Sequence, residues 1–282
     1  MGDRLSRIQT DSSASDYGVF GLSPCGKLFR LRRMSWLCEQ PAPPGSVLQS
    51  RAVWLLPSGL FLLLGIAALP HDLALARWFA AGNLPGGIGD LLERAETVAH
   101  GIGIAGILLA LFVIDRSRRW TYPRVILAVV AAGMGANLIK LSIARSRPHS
   151  TDLSGSLADT FGGLFPLFSG GSAAQSTPSS HTAAAMAFAL ALCWLFPRGR
   201  WVFATLAVLA ATQRLAGGAH YLSDVFWGAA VGWFLGQGIL CGFLTGSRFD
   251  RFEATLRPLS RSGLGSDVAI DDERPERRPR AA

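Results

Sequence analysis

The sequence predicts an all-α, polytopic membrane protein: a bundle of six transmembrane helices with both termini cytoplasmic. Three observations carry this reading. Half of the 282 residues are hydrophobic and only 16% are charged, the balance of an integral membrane protein. Six mainly apolar runs of about 17–23 residues recur, each long enough as helix to cross a hydrocarbon core of roughly 30 Å. Of the 27 Lys and Arg residues, 21 fall in the segments on one side of these runs, which the positive-inside bias makes cytoplasmic. A transmembrane barrel would show shorter segments of alternating polarity instead.

In chain order, residues 1–51 form a polar cytoplasmic segment, expected to be poorly ordered, with a basic run at Lys27, Arg30, Arg32 and Arg33. It carries no cleavable signal pattern, so the first span is expected to act as an uncleaved anchor. Met34 offers a second start of translation. The six spans occupy residues 52–245: Ala52–Pro70, Thr97–Ile114, Val125–Ile143, His181–Pro197, Trp201–Ala216 and Asp224–Leu244. Asn137 and Lys140 interrupt the third. The short connection Pro197–Arg200 makes the fourth and fifth spans antiparallel neighbours. Gly228, Gly232 and Gly236 give the sixth a flat face that another helix can approach closely. Residues 246–282, with mixed charges, read as a disordered cytoplasmic tail. Cys25, Cys38, Cys193 and Cys241 show neither a disulfide framework nor zinc spacing. The net charge of +8 is a topology and anionic-lipid signal, with no nucleic-acid module behind it. Nothing specifies an oligomeric state.

The polar exceptions gather at four span ends on the outer face. His220 and Asp224 are four residues apart, just after Arg214, and a carboxylate so placed can hold an imidazole in one tautomer as a nucleophile or base. Lys140 and Arg147 are two helical turns apart and share a face if the helix continues to Pro148. A lysine inside a span costs about 2.5–3.5 kcal/mol, so Lys140 is expected to face a cavity or partner, with snorkelling as the bland alternative. Thr177-Pro178-Ser179-Ser180-His181 opens a helix whose free N–H groups and dipole favour an anion, although capping alone would account for the serines. Together these supply three cations, a helix N-terminus, two histidines and a carboxylate. That inventory suits a phosphoryl group: cations neutralise its oxygens, one histidine attacks phosphorus and the other protonates the departing oxygen. The outer connections lack the carboxylate cluster that holds paired metals, so neither metal nor cofactor is expected.

Lys140 followed by six residues and Arg147-Pro148, then Pro178-Ser179-Ser180-His181, then Arg214, five residues, His220, three residues and Asp224, resembles the three-part signature of the type 2 phosphatidic acid phosphatase superfamily. The resemblance covers roughly residues 52–244. It implies a membrane phosphatase in which His220 is the nucleophile, Asp224 orients it and His181 is the general acid. Lys140, Arg147 and Arg214, with the Ser179 hydroxyl and the Ser180 backbone N–H, would hold the phosphate. Two positions depart from the pattern: Ser180 stands where glycine is usual, and Gln213 where serine usually precedes the arginine.

The expected activity is metal-independent hydrolysis of a lipid phosphate monoester or pyrophosphate through a phosphohistidine, on the periplasmic side of a bacterial inner membrane. Partners are then the lipid phosphate and membrane lipids. Phosphatidate, phosphatidylglycerol phosphate, undecaprenyl pyrophosphate and lipid A phosphates all fit. A lipid phosphotransferase using the same intermediate, and a non-catalytic lipid-phosphate binding or transport protein, are the alternatives. Nearby, His149 reads as a solvated loop residue and Arg145 as an interfacial anchor. The apolar loop Phe161–Phe168 reads as a headgroup-level guide for a lipid chain.

Overall fold

The computed structural model describes residues 47–164 and 175–256. The expectations for Met34, Cys25, Cys38, residues 165–168 and the tail beyond residue 256 lie outside the described residues. Helix dominates, because apolar runs removed from water must satisfy their backbone groups within the segment. α1 (Val47–Ala68) passes through a 3-10 turn, Leu69–His71, into α2 (Asp72–Ala80). Pro70 sits in the first positions of that turn, where a missing N–H costs little. Among the described residues, Trp54–Ala80 is one of two helical stretches long and apolar enough to cross a membrane; the other is Arg116–Lys140.

The expected second span falls on a bent helix pair in the structure. α3 (Gly86–Ala99) and α4 (Gly101–Ile114) meet at a 67° bend. His100 between them is extended at ψ 139°, which breaks the helical hydrogen-bond ladder. α4 alone has 14 residues, so this pair forms a third candidate span only if both helices are counted together. Ser180–Leu195 is a shorter apolar helix.

α5 (Tyr122–Lys140) ends at Lys140, so the condition for Lys140 and Arg147 to share one helix face is not met. After Leu141 and Ser142 the chain becomes strand β1 (Ile143–Arg145), antiparallel to β2 (Phe161–Leu164), with an irregularity between Ala144 and Arg145. Arg147 is extended at ψ 150°, the conformation that a following proline imposes. The described residues are therefore helical with one two-stranded sheet, and the described part of the expected loop guide is the exposed strand β2.

α6 (Ser180–Leu195), α7 (Arg200–Ala216) and α8 (Leu222–Leu240) complete the bundle. α8 lies against α1, α5 and α6, while α6 also touches α5 and α7. The core between them is built on Val125, Ala128, Phe188, Leu192 and Trp233. The expected glycine face of α8 does pack: a Cβ on Gly228 would stand 2.4 Å from the Ser179 carbonyl, and one on Gly232 2.4 Å from that of Ala183. This close approach seats the start of α6 beside the start of α8.

Part of the expected disordered tail is ordered, since α9 spans Arg248–Leu256. Buried Arg124 holds it, donating to both Glu253 oxygens at 2.7 and 2.9 Å, pairing with Asp250 and reaching the Leu240 carbonyl at 3.0 Å. The tail's local composition does not reveal a partner 129 residues away.

Candidate active site

The polar residues at the ends of α5, α6, α7 and α8 meet in one buried cluster. His220 sits in the loop between α7 and α8, where Gly218 adopts φ +61°, a conformation that favours glycine. The His220 backbone N–H donates to the Arg214 carbonyl at 3.2 Å, so the motif's arginine and histidine are tied directly. The ring is buried. Burial, followed by the charges of Lys140, Arg147 and Arg214, pushes the His220 imidazole well below its usual range, with a hydrogen bond to the Ser176 backbone opposing them. It is therefore neutral with a lone pair available, the form a nucleophile needs.

Asp224 is fully buried at the first turn of α8. Its Oδ1 accepts from Arg145 Nη1 at 2.6 Å and from the Thr177 hydroxyl. Its Oδ2 accepts from the Ser176 hydroxyl at 2.5 Å and the Tyr221 backbone N–H at 2.9 Å. The expected one-turn contact between His220 and Asp224 is replaced by a longer path. α8 begins at Leu222, so His220 precedes the helix, and Ser176 Oγ stands 3.5 Å from His220 Nδ1.

Arg145 is not an interfacial anchor but wholly buried. It bridges Asp224 to Asp72, at 2.6 Å each, and donates to Ser223 Oγ at 2.8 Å. The rings of Tyr221 and Phe161 cover its guanidinium at 4.2 and 4.7 Å. Asp72 in turn accepts from the Ser223 backbone N–H at 2.9 Å. Two carboxylates bridged by one arginine, each taking one charged N–H, with remaining lone pairs filled by hydroxyl and backbone donors, satisfy the demands of a buried ionic group.

The three cations expected to hold phosphate are otherwise arranged. Lys140 is buried at the end of α5 and forms no ion pair among the described residues. Arg147 Nε is buried without a hydrogen-bond partner there, and burial, then the charge of Arg214, lowers the pKa of that guanidinium. Arg214 is engaged: its Nη2 donates to Glu96 Oε1 at 2.6 Å and its Nε to Gln213 Oε1 at 2.6 Å. Gln213 Nε2 completes the clamp by donating to Glu96 Oε2 at 3.0 Å. Thus the glutamine that departs from the motif holds a carboxylate from α3 against the arginine expected to bind phosphate. With Glu96 opposing one cation, two positive charges remain for an anion.

Ser179 caps α6. Its Oγ accepts from the Thr182 N–H at 3.3 Å and the Thr182 hydroxyl at 2.9 Å, leaving its own proton free to donate. The Ser179 N–H is committed to the Asp224 carbonyl at 3.0 Å. Ser180 is the first residue of the helix, so its N–H is among the unpaired donors at the positive end of the dipole. His181 follows, half-buried, its ring 5.9 Å from that of His100. His149 is exposed, with its Nδ1 3.0 Å from the Gly218 carbonyl, tethering the His220 loop.

Sequence reasoning missed Asp72, Glu96, His100 and Ser176. Asp72 had a signal, a carboxylate directly following an apolar span. Ser176 and Thr177 lay in the polar run before Pro178. Glu96 and His100 had none, because the bend after α3 brings them to the site.

Residues 121–246 match the family model of the PAP2 superfamily. Two lipid A 1-phosphatases, from Rhizobium johnstonii and Rhizobium etli, are each 40% identical over 119 residues, 41% of this chain. Those 119 residues make up 45% and 47% of the two relatives, so the chain spans about half the length of the curated relatives it matches. A transmembrane PAP2 type phosphatidylglycerolphosphate phosphatase from Bacillus subtilis is similar in structure, with TM-score 0.48 at 17% identity, over 73% of this chain and 99% of that one.

Proposed function

We propose that this chain, whose residues 121–246 match the family model of the PAP2 superfamily, is an integral membrane lipid phosphatase working through a phosphohistidine without metal. The observation that carries the reading is a neutral, buried His220 on which three cations act. One of those cations, Lys140, is buried without an ion-pair partner among the described residues. Burying like charges around an imidazole is costly. A phosphate group relieves that cost.

In the first step, His220 Nε2 attacks phosphorus and the bond to the lipid oxygen breaks. His181 donates a proton to that oxygen, while Lys140, Arg147 and Arg214 neutralise the charge spreading over the phosphoryl oxygens. The Ser179 hydroxyl and the Ser180 N–H add donors. In the second step, neutral His181 accepts a proton from water, the resulting oxygen attacks phosphorus, and the P–N bond breaks to restore His220 and release inorganic phosphate. No step requires a Lewis acid, since protein cations supply the charge.

The names of the two Rhizobium relatives favour lipid A 1-phosphate as substrate. The membrane arrangement we infer has six spans and cytoplasmic termini. It places the site at periplasmic headgroup depth, and the lysine and arginine bias supports it.

The decisive experiment is phosphate release by purified protein across phosphatidate, phosphatidylglycerol phosphate, undecaprenyl pyrophosphate and lipid A 1-phosphate. Native protein should release phosphate, His220→Ala none, and rapid quench with labelled substrate should trap an acid-labile phosphoprotein. Full turnover by His220→Ala overturns the assignment.

A further inference from the structure

Asp224 has no vacant position for the imidazole it is expected to orient. A carboxylate offers about four lone-pair directions. Here Arg145, Thr177, Ser176 and the Tyr221 N–H occupy them in pairs on the two oxygens. His220 Nδ1 instead stands 3.5 Å from the Ser176 hydroxyl oxygen, which itself touches Asp224 Oδ2 at 2.5 Å.

We propose that Ser176 is a positioning residue that couples Asp224 to His220, donating its hydroxyl proton to the carboxylate and accepting the imidazole Nδ1–H on its oxygen. The inference rests on His220 being the nucleophile. The protons balance without ambiguity. A serine hydroxyl has one donor, which a carboxylate takes, and its remaining lone pairs can only accept. The ring must then carry its proton on Nδ1, and the Nε2 lone pair is left for phosphorus. As Nε2 forms its bond, positive charge grows on the ring and strengthens the Nδ1–H to Ser176 to Asp224 chain by polarisation; no proton needs to move along it. The contact of 3.5 Å lies at the outer limit of a hydrogen bond, and such contacts shorten when substrate is bound.

Ser176 is built to do this. It is fully buried, and its backbone N–H donates to the Arg145 carbonyl at 2.7 Å. The Arg145 N–H is held by Gln175 Oε1 at 2.8 Å. Arg145 thus fixes both the backbone of the serine and the far oxygen of the carboxylate. Ser176 also presents its backbone to the imidazole, so the share of the hydroxyl must be separated by experiment.

The test compares Ser176→Ala, Ser176→Thr and His220→Ala by steady-state kinetics, rapid quench and ¹⁵N NMR of the histidine rings, the His220→Ala spectrum identifying the resonance. Native protein should show a single Nδ1–H tautomer at neutral pH. Ser176→Ala should mix tautomers, lower kcat and the rate of phosphoenzyme formation by about 100-fold, and leave KM within about threefold, the scale of a lost positioning contact. Ser176→Thr, which keeps the hydroxyl, should recover most of the rate. If Ser176→Ala does not fold, Ser176→Cys, a weak donor of similar shape, serves in its place. A variant lacking the hydroxyl that keeps its kcat, or keeps the single tautomer, overturns the proposal. Turnover by His220→Ala would instead overturn the nucleophile assignment beneath it.

Discussion

Replacing Arg145 by methionine should destabilise the protein more than any conservative change in the bundle. The guanidinium is wholly buried and joins two carboxylates, Asp72 and Asp224, at 2.6 Å each. Breaking one buried pair typically costs about 3–5 kcal/mol, because the remaining charge is left without compensation. Here two carboxylates lose one shared cation, so we expect the upper end, about 5 kcal/mol. Methionine fills the space between the Tyr221 and Phe161 rings, so the loss reports charge more than volume. At roughly 2–4 °C per kcal/mol for a chain of this size, the midpoint in detergent should fall by about 10–20 °C. Tryptophan fluorescence during heating measures this. Asp72→Asn alone should cost less, since it leaves Arg145 paired with Asp224. In Arg145→Met with Asp72→Asn, the two effects should sum to about 1–3 kcal/mol more than the double variant loses. Lysine should not rescue, because a point charge cannot span both carboxylates. A midpoint within about 3 °C of native for Arg145→Met, or strict additivity in the double variant, refutes the brace.

Three further outcomes follow from the site. The imidazole of His220 is held well below its usual value and must be neutral to attack. Hence kcat/KM should not decline as pH falls through about 6.5, the ordinary histidine value, but only in more acid solution. Arg214→Gln removes one of the cations, raises that pKa and should move the decline to higher pH; a native decline at or above 6.5 contradicts this. Gly228→Ala would place a Cβ 2.4 Å from the Ser179 carbonyl. Overpacking should cost about 1–3 kcal/mol, and displacement of Ser179 should lower kcat/KM about 100-fold. Gly59→Ala, with open space around its Cβ, is the control, and equal activity of the two variants refutes the reading. Glu96→Gln frees Arg214 from its carboxylate. Inhibition by inorganic phosphate should tighten about two- to fivefold, the range of a partly exposed ion pair; weaker inhibition would mean that Glu96 aligns the arginine for phosphate instead.

What was legible in the sequence depends on short-range order. Apolar runs mark helices because a backbone in lipid has no other partner. Ser179 caps α6 within three residues, and the four-residue glycine spacing of α8 is a single stripe on any helix. The closeness of Arg214 and His220 lies within one loop, and their types already specify an oriented base near a cation. Yet even short spacing misled where helix continuity was assumed. Lys140 and Arg147 are joined by a turn and a strand rather than along one helix, and His220 and Asp224 are not one turn apart on a helix, because α8 begins at Leu222.

The rest was decided by packing. Arg145 looks like a surface cation until Asp72, 73 residues away, and Asp224, 79 residues away, close around it. Glu96 reaches Arg214 across 118 residues and Arg124 reaches Glu253 across 129. Such partners leave no local pattern, because a buried charge is stabilised by whichever opposite charge the fold delivers, at any chain separation. The sequence by itself determined which residues carry the charges and lone pairs that a phosphate site would need, since that is a property of side-chain chemistry. Only the tertiary structure decided how they are wired, with Asp224 saturated by Arg145 and its neighbours and Ser176 standing between it and His220, since lone pairs are filled by three-dimensional neighbours.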